Sequence, residues 1–155
     1  MKKRLLTVLL AVCLVVALGT VTAAADDTTV TSADELKSAI ENARDGDVIT
    51  LGADIVLDPD YGDFTVDPEK GPADPYMTIT SDITVDLDGH RIGWDISKVT
   101  ELDGTSTGIP YTLLIFDINN ASVTFCGDGV IDAEANFNNS YCINVNGGEP
   151  TIEDG

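Results

Sequence analysis

The stretch 83–92, I-T-V-D-L-D-G-H-R-I, alternates apolar and polar residues and then turns at Asp88-Gly89. The pattern returns at 121–130, A-S-V-T-F-C-G-D-G-V, where Val123 matches Val85, Phe125 matches Leu87, Gly127 matches Gly89 and Val130 matches Ile92. A partial third copy, P-T-I-E-D-G, closes the chain at 150–155. Period-two alternation places successive side chains on opposite faces of a strand. One such strand cannot bury its apolar face alone, and copies recurring at roughly 20–50 residues usually stack so that each covers the next. Counted from Leu87 to Phe125 to Ile152, the intervals are 38 and 27 residues. Unequal intervals suit coils that carry loops of different length, and suit a strict array poorly.

The segment ahead of the repeat supplies a start. Ser32 and Glu35 are spaced as a capping box, with Ser32 at the N-cap and Glu35 at the third helical position. Leu36, Ala39, Ile40 and Ala43 follow at helical spacing, and Asp45-Gly46 supplies a stop. The spacing predicts a helix of about three turns with one apolar stripe. Short β-branched runs follow at 48–51 and 55–57, then at 77–80, 83–87, 113–118, 123–125, 130–131, 143–145 and 151–153. Residues 58–75 hold four prolines among acids and glycines and read as a loop, as do residues 93–110. Asn119-Asn120 and Asn146-Gly147-Gly148 read as turns.

Residues 1–25 read as a secretory signal. Lys2, Lys3 and Arg4 precede an apolar run from Leu5 to Val21, and Ala23-Ala24-Ala25 offers small residues for cleavage. An uncleaved anchor is the alternative reading, and a lipoprotein box at Cys13 fits poorly because an apolar run follows it. Cleavage after Ala25 leaves 130 residues, enough for one domain, with five basic residues against 27 acidic ones, a net of −22. Such a field excludes nucleic acid and anionic lipid as partners. No membrane span is expected once the signal is removed.

The succession of a capped helix into DGDVITLGADIVL, then ITSDITVDLDGHRI, SVTFCGDGVIDA and CINVNGGEPTIEDG, resembles the N-terminal part of the pectate-lyase-like superfamily. The resemblance spans residues 32–155. It implies an all-β fold, a right-handed parallel β-helix (solenoid) with a short capping α-helix at its N-terminal end. A β-sandwich is the competing fold, against which the helix and the repeat argue. About three and a half coils fit in the chain, which stops within a repeat. The expectation is therefore an N-terminal piece of a longer protein, residues 26–155 being its first coils. Its open C-terminal coil offers a surface for self-association.

In lyases of that superfamily outward acids bind calcium that bridges to the substrate. The resemblance makes Asp86 and Asp88, with His90 at alternate spacing, a candidate Ca2+ site, against a plain turn. No catalytic motif of the superfamily is visible. A second calcium-like loop starts at Asp58 and reaches Glu69, but its glycine sits at the fifth position and no helices flank it. Tyr61, Tyr76, Trp94 and Tyr111, with Phe64, fall in or beside the two long connections, where aromatic faces stack on sugars or pack the loops down. Cys126 and Cys142 remain after cleavage, and an exported chain permits a disulfide between them. The same alternation that turns Val123, Phe125, Ile143 and Val145 inward turns both sulfurs outward. The sequons at Asn120 and Asn138 read as chance.

Two functions remain. One is a secreted or cell-surface β-helix that binds a polysaccharide or surface ligand, as adhesins do, without catalysis in this segment. The other is the N-terminal part of a lyase or hydrolase acting on acidic polysaccharide.

Overall fold

The computed structural model describes residues 24–58, 75–95, 112–133 and 139–153. The expected signal at 1–25, except its last two residues, lies outside them. So does the loop at 59–74. Within the described residues, one helix, α1 (Ala33–Asn42), follows strand β1 (Asp27–Val30). Eight strands come after it: β2 (Val48–Leu51), β3 (Ile55–Leu57), β4 (Met77–Ile79), β5 (Ile83–Asp86), β6 (Arg91–Trp94), β7 (Thr112–Cys126), β8 (Val130–Asp132) and β9 (Asn139–Ile152). They form two sheets. One runs β1-β2-β5-β7-β4, with β9 also on β7; the other runs β3-β6-β8. Every pairing is parallel.

The register shows how the chain returns. Val48 lies beside Thr84, Ile83 beside Val123, and Val123 beside Pro150. In the second sheet Ile55 lies beside Ile92, and Ile92 beside Ile131. The partner of Val85 is therefore Phe125, two positions on from the match made by the repeat. A shift of two keeps every side chain on its face, so the inward set survives. At β8 the shift is one residue. Arg91, not Ile92, pairs with Val130, and Val130 is left 55% exposed. The match of Phe125 to Ile152 is the observed register.

The first-sheet alternation buries Ile49 and Leu51, Ile83 and Val85, and Val123 and Phe125, each at 3% exposure or less. Burying a side chain of this size contributes about 1.5–3 kcal/mol. One expected loop proves to be strand, since Gly93-Trp94 belong to β6, and β1, a segment to which the sequence analysis assigns no element, pairs with β2. The turns expected at Asn119-Asn120 and Asn146–Gly148 are corners inside continuous strands. Asn120 and Gly147 take left-handed backbone there, with φ of +53° and +80°.

Helix α1 lies over this core through Leu36 and Ile40. Ser32 Oγ accepts from Glu35 N at 3.3 Å. The return bond of the capping box shifts by one residue: Glu35 Oε2 accepts from Thr31 N at 2.8 Å and Thr31 Oγ1 at 2.9 Å. Gly46 has φ +94°, in the turn that leads to β2.

Many of the acids hold the corners. Asp45 Oδ1 accepts from Asp82 N at 3.0 Å, and Asp82 Oδ1 from Ser122 N at 2.7 Å. Asp54 Oδ1 takes Arg91 N at 2.9 Å. Asp47 takes Asp26 N at 2.8 Å and Arg44 N at 2.9 Å. Each bond gives an acceptor to a main-chain donor that the sheet does not use. Backbone donors hold the carboxyls of Asp47 and Asp54 below the usual range.

Candidate functional site

The outward face of the first sheet repeats in register from strand to strand. Opposite the buried positions, Asp27, Val48, Thr84, Thr124 and Thr151 occupy adjoining register positions. Thr29, Thr50, Asp86 and Cys126 form the parallel column two residues on. Neighbouring members of a column stand about 4.8 Å apart, the spacing of hydrogen-bonded strands. The repeat implied this face by alternation, but its hydroxyl content appears only when the register is known.

At the end of β5 the chain turns through Leu87–His90, closed by His90 N donating to Leu87 O at 2.7 Å. Asp88 and Gly89 both have positive φ, +44° and +79°, the pattern of a type I′ turn. Asp86 Oδ1 accepts from Asp88 N at 3.0 Å. His90 Nδ1 faces Asp54 Oδ1 at 3.4 Å, between β2 and β3. The period-two alternation ends with the strand, so Asp86, Asp88 and His90 do not continue one outward row. Among the described residues, no group of three or more His, Cys, Asp or Glu side chains gathers to hold a metal. Gly127 rests on this turn. A Cβ there would stand 2.5 Å from Asp86 Oδ1 and 2.7 Å from Asp88 N, which the sequence alignment of Gly127 with Gly89 did not convey.

Cys126 and Cys142 are both free. The register explains why no bridge joins them. Glu153 N donates to Phe125 O at 2.9 Å, so β9 brings Glu153, not Cys142, to the level of Cys126. Cys142 lies between the partners of Leu114 and Phe116, at the level of Ile115. Its sulfur turns toward the second sheet, donating to Ile131 O of β8 at 3.4 Å. Burial first, and then Asp86 and Glu153, push the Cys126 thiol up. Burial and Asp132 raise that of Cys142 against a bond from the backbone of Ala133. Both stay protonated at neutral pH, which makes them slow nucleophiles. They line an open cleft of about 480 Å³ with Leu87, Phe125, Ile131, Ile143 and Ile152.

A polar cluster that sequence reasoning missed lies on β7 and β9. Asp117, 9% exposed, accepts from Asn119 Nδ2 at 2.9 Å, Asn144 Nδ2 at 2.7 Å and Asn146 Nδ2 at 2.9 Å. Three amide donors satisfy a carboxylate that burial would otherwise penalise. The D-x-N and N-x-N spacings are the signal that was available, readable only once β7 and β9 are paired.

Of the aromatic residues expected to meet sugars, Tyr61 and Tyr111 lie outside the described residues. Trp94 is 1% exposed and packs edge-on against Tyr76, ring centres 5.6 Å apart. Buried in β6, it has no free face for a sugar; its expected loop position was wrong because Gly93 and Trp94 pair with Val56 and Leu57. Trp94 Nε1 has no partner among the described residues. Tyr76 is half-buried, with Lys37 Nζ 5.5 Å from its ring centre, beside a recess of about 200 Å³ under α1. Among the described residues no helix is long and apolar enough to cross a membrane. Comparisons with family models, curated proteins and solved structures each return no match.

Proposed function

We propose that this chain forms coils of a right-handed parallel β-helix like those of the pectate-lyase-like superfamily, exported to the cell surface or the medium, and that it binds a polysaccharide there. Parallel pairing with recurrent register supports the solenoid, and α1 over the core supports the capping role. The observation that carries the binding reading is the outward column of Thr84, Thr124 and Thr151 beside Thr50 and Asp86. Hydroxyls repeated at about 4.8 Å on a rigid sheet can donate to and accept from the hydroxyls of a polymer along its length. The raised Cys126 thiol favours binding over cysteine chemistry at this face.

The test is retention on a panel of insoluble polysaccharides, acidic and neutral, for the wild type and for Thr84→Val with Thr124→Val. Valine keeps the strand and removes the hydroxyl. Retention lost in the double variant, with unchanged circular dichroism, is the expected result. Retention on none of the panel, or equal retention by both proteins, sinks the reading. An unsaturated product appearing in the ultraviolet from polygalacturonate with calcium would replace it with a lyase.

A further inference from the structure

The last strand holds a residue pair on which the binding reading does not depend. Asn146 is exposed on β9, and its Nδ2 donates to Asp117 Oδ1 at 2.9 Å. Gly147 follows with φ +80°. Both residues have a structural role. A Cβ at 147 would meet Asn120 Oδ1 at 2.6 Å on a backbone that L side chains rarely adopt. An apolar residue at 146 would take a donor from the buried carboxylate of Asp117. The packing thus uses a side-chain donor at 146 and requires a residue with no side chain at 147. In that pair the main-chain nitrogen has the least obstructed approach to the carboxamide before it, and asparagine is among the chemically labile residues.

We propose that Asn146 is a site of spontaneous covalent modification, in which ring closure onto Gly147 converts it to aspartate or isoaspartate and loosens β9 from β7. The Gly147 nitrogen loses its proton to water and attacks Cγ of Asn146. The N–Cγ bond forms, the Cγ–Nδ2 bond breaks, and Nδ2 leaves as ammonia after taking a proton from water. A second water opens the five-membered imide at either carbonyl. Nothing is oxidised or reduced. The product has lost the donor to Asp117 Oδ1 and sets a second carboxylate in its place, so attraction becomes like-charge repulsion. Asn119 and Asn144 hold the same carboxylate but precede Asn120 and Val145, whose side chains hinder closure. They serve as internal controls.

The experiment ages the native protein at mildly alkaline pH and body temperature and reads the masses of its proteolytic peptides. The peptide holding Asn146 is expected to gain the mass difference between NH2 and OH and to split into two isomers, with Asn119 and Asn144 unchanged. Conversion only in a urea-denatured sample, or equal conversion at all three, overturns the proposal. The aged fraction carries an added negative charge and separates by anion exchange. It is expected to melt below the fresh protein, and Asn146→Asp to melt with it. Should that variant fail to fold, the aged fraction alone carries the comparison. Melting identical to fresh protein removes the loosening.

Discussion

At the scale of single residues, the acids are more than a solvated coat. Glu35, Asp47 and Asp54 have carboxyls held below their ordinary values of 4.5, 3.8 and 3.8, chiefly by backbone donors from Thr31, Asp26 and Arg91. A carboxyl whose folded pKa is depressed stabilises the fold above its unfolded pKa and loses that contribution as pH falls through the folded value. Urea midpoints are therefore expected to be level above about pH 5 and to fall below about pH 4. A midpoint that rises on acidification would contradict this. Asp117→Ala strands three amide donors and is expected to cost about 1–3 kcal/mol in the same assay. The two raised thiols are expected to react with iodoacetamide slowly at neutral pH and to accelerate only toward alkaline pH.

At the scale of elements, α1 is held by its cap and its buried stripe. Removing the hydroxyl in Ser32→Ala is expected to cost about 1 kcal/mol, and Leu36→Ala about 2–5 kcal/mol, because Leu36 is 0% exposed. Chemical denaturation measures both. The helix was legible since a capping box and a 3.6-residue stripe are local signals. β6 was not. Its Arg91-Ile92-Gly93-Trp94 follows a turn and contains a glycine, so local reading found no strand there. The strand exists because Ile55 and Leu57 pair with Ile92 and Trp94 across 37 residues. Arg91 adds a tie to the next strand, its Nη2 2.9 Å from Asp132 Oδ2.

At the scale of the molecule, β9 borders the apolar cleft and leaves Ile152 76%, Tyr141 51% and Val145 39% exposed. An apolar strand edge of this kind is a template for association. Sedimentation is expected to show concentration-dependent self-association of the 155-residue chain, reduced by Ile152→Lys. A monomer at all concentrations, for both proteins, would refute it. The opposing tendency is the net charge, which drives copies apart and makes association stronger at high salt.

The sequence by itself determined the alternation of β5, β7 and β9, the corners at Asp88-Gly89 and Asn146–Gly148, the cap of α1, and thereby the all-β character. Those properties are set by contacts within a few residues, where period, glycine freedom and capping bonds act. Only the tertiary structure decided the register between strands, the burial of Trp94, the separation of the two thiols and the gathering of three asparagines on Asp117. Each depends on which residues lie side by side across 27 to 40 positions of chain. A shift of two residues leaves the alternation unchanged while giving every side chain a new neighbour. The pattern that selects a face therefore carries no information about who shares it.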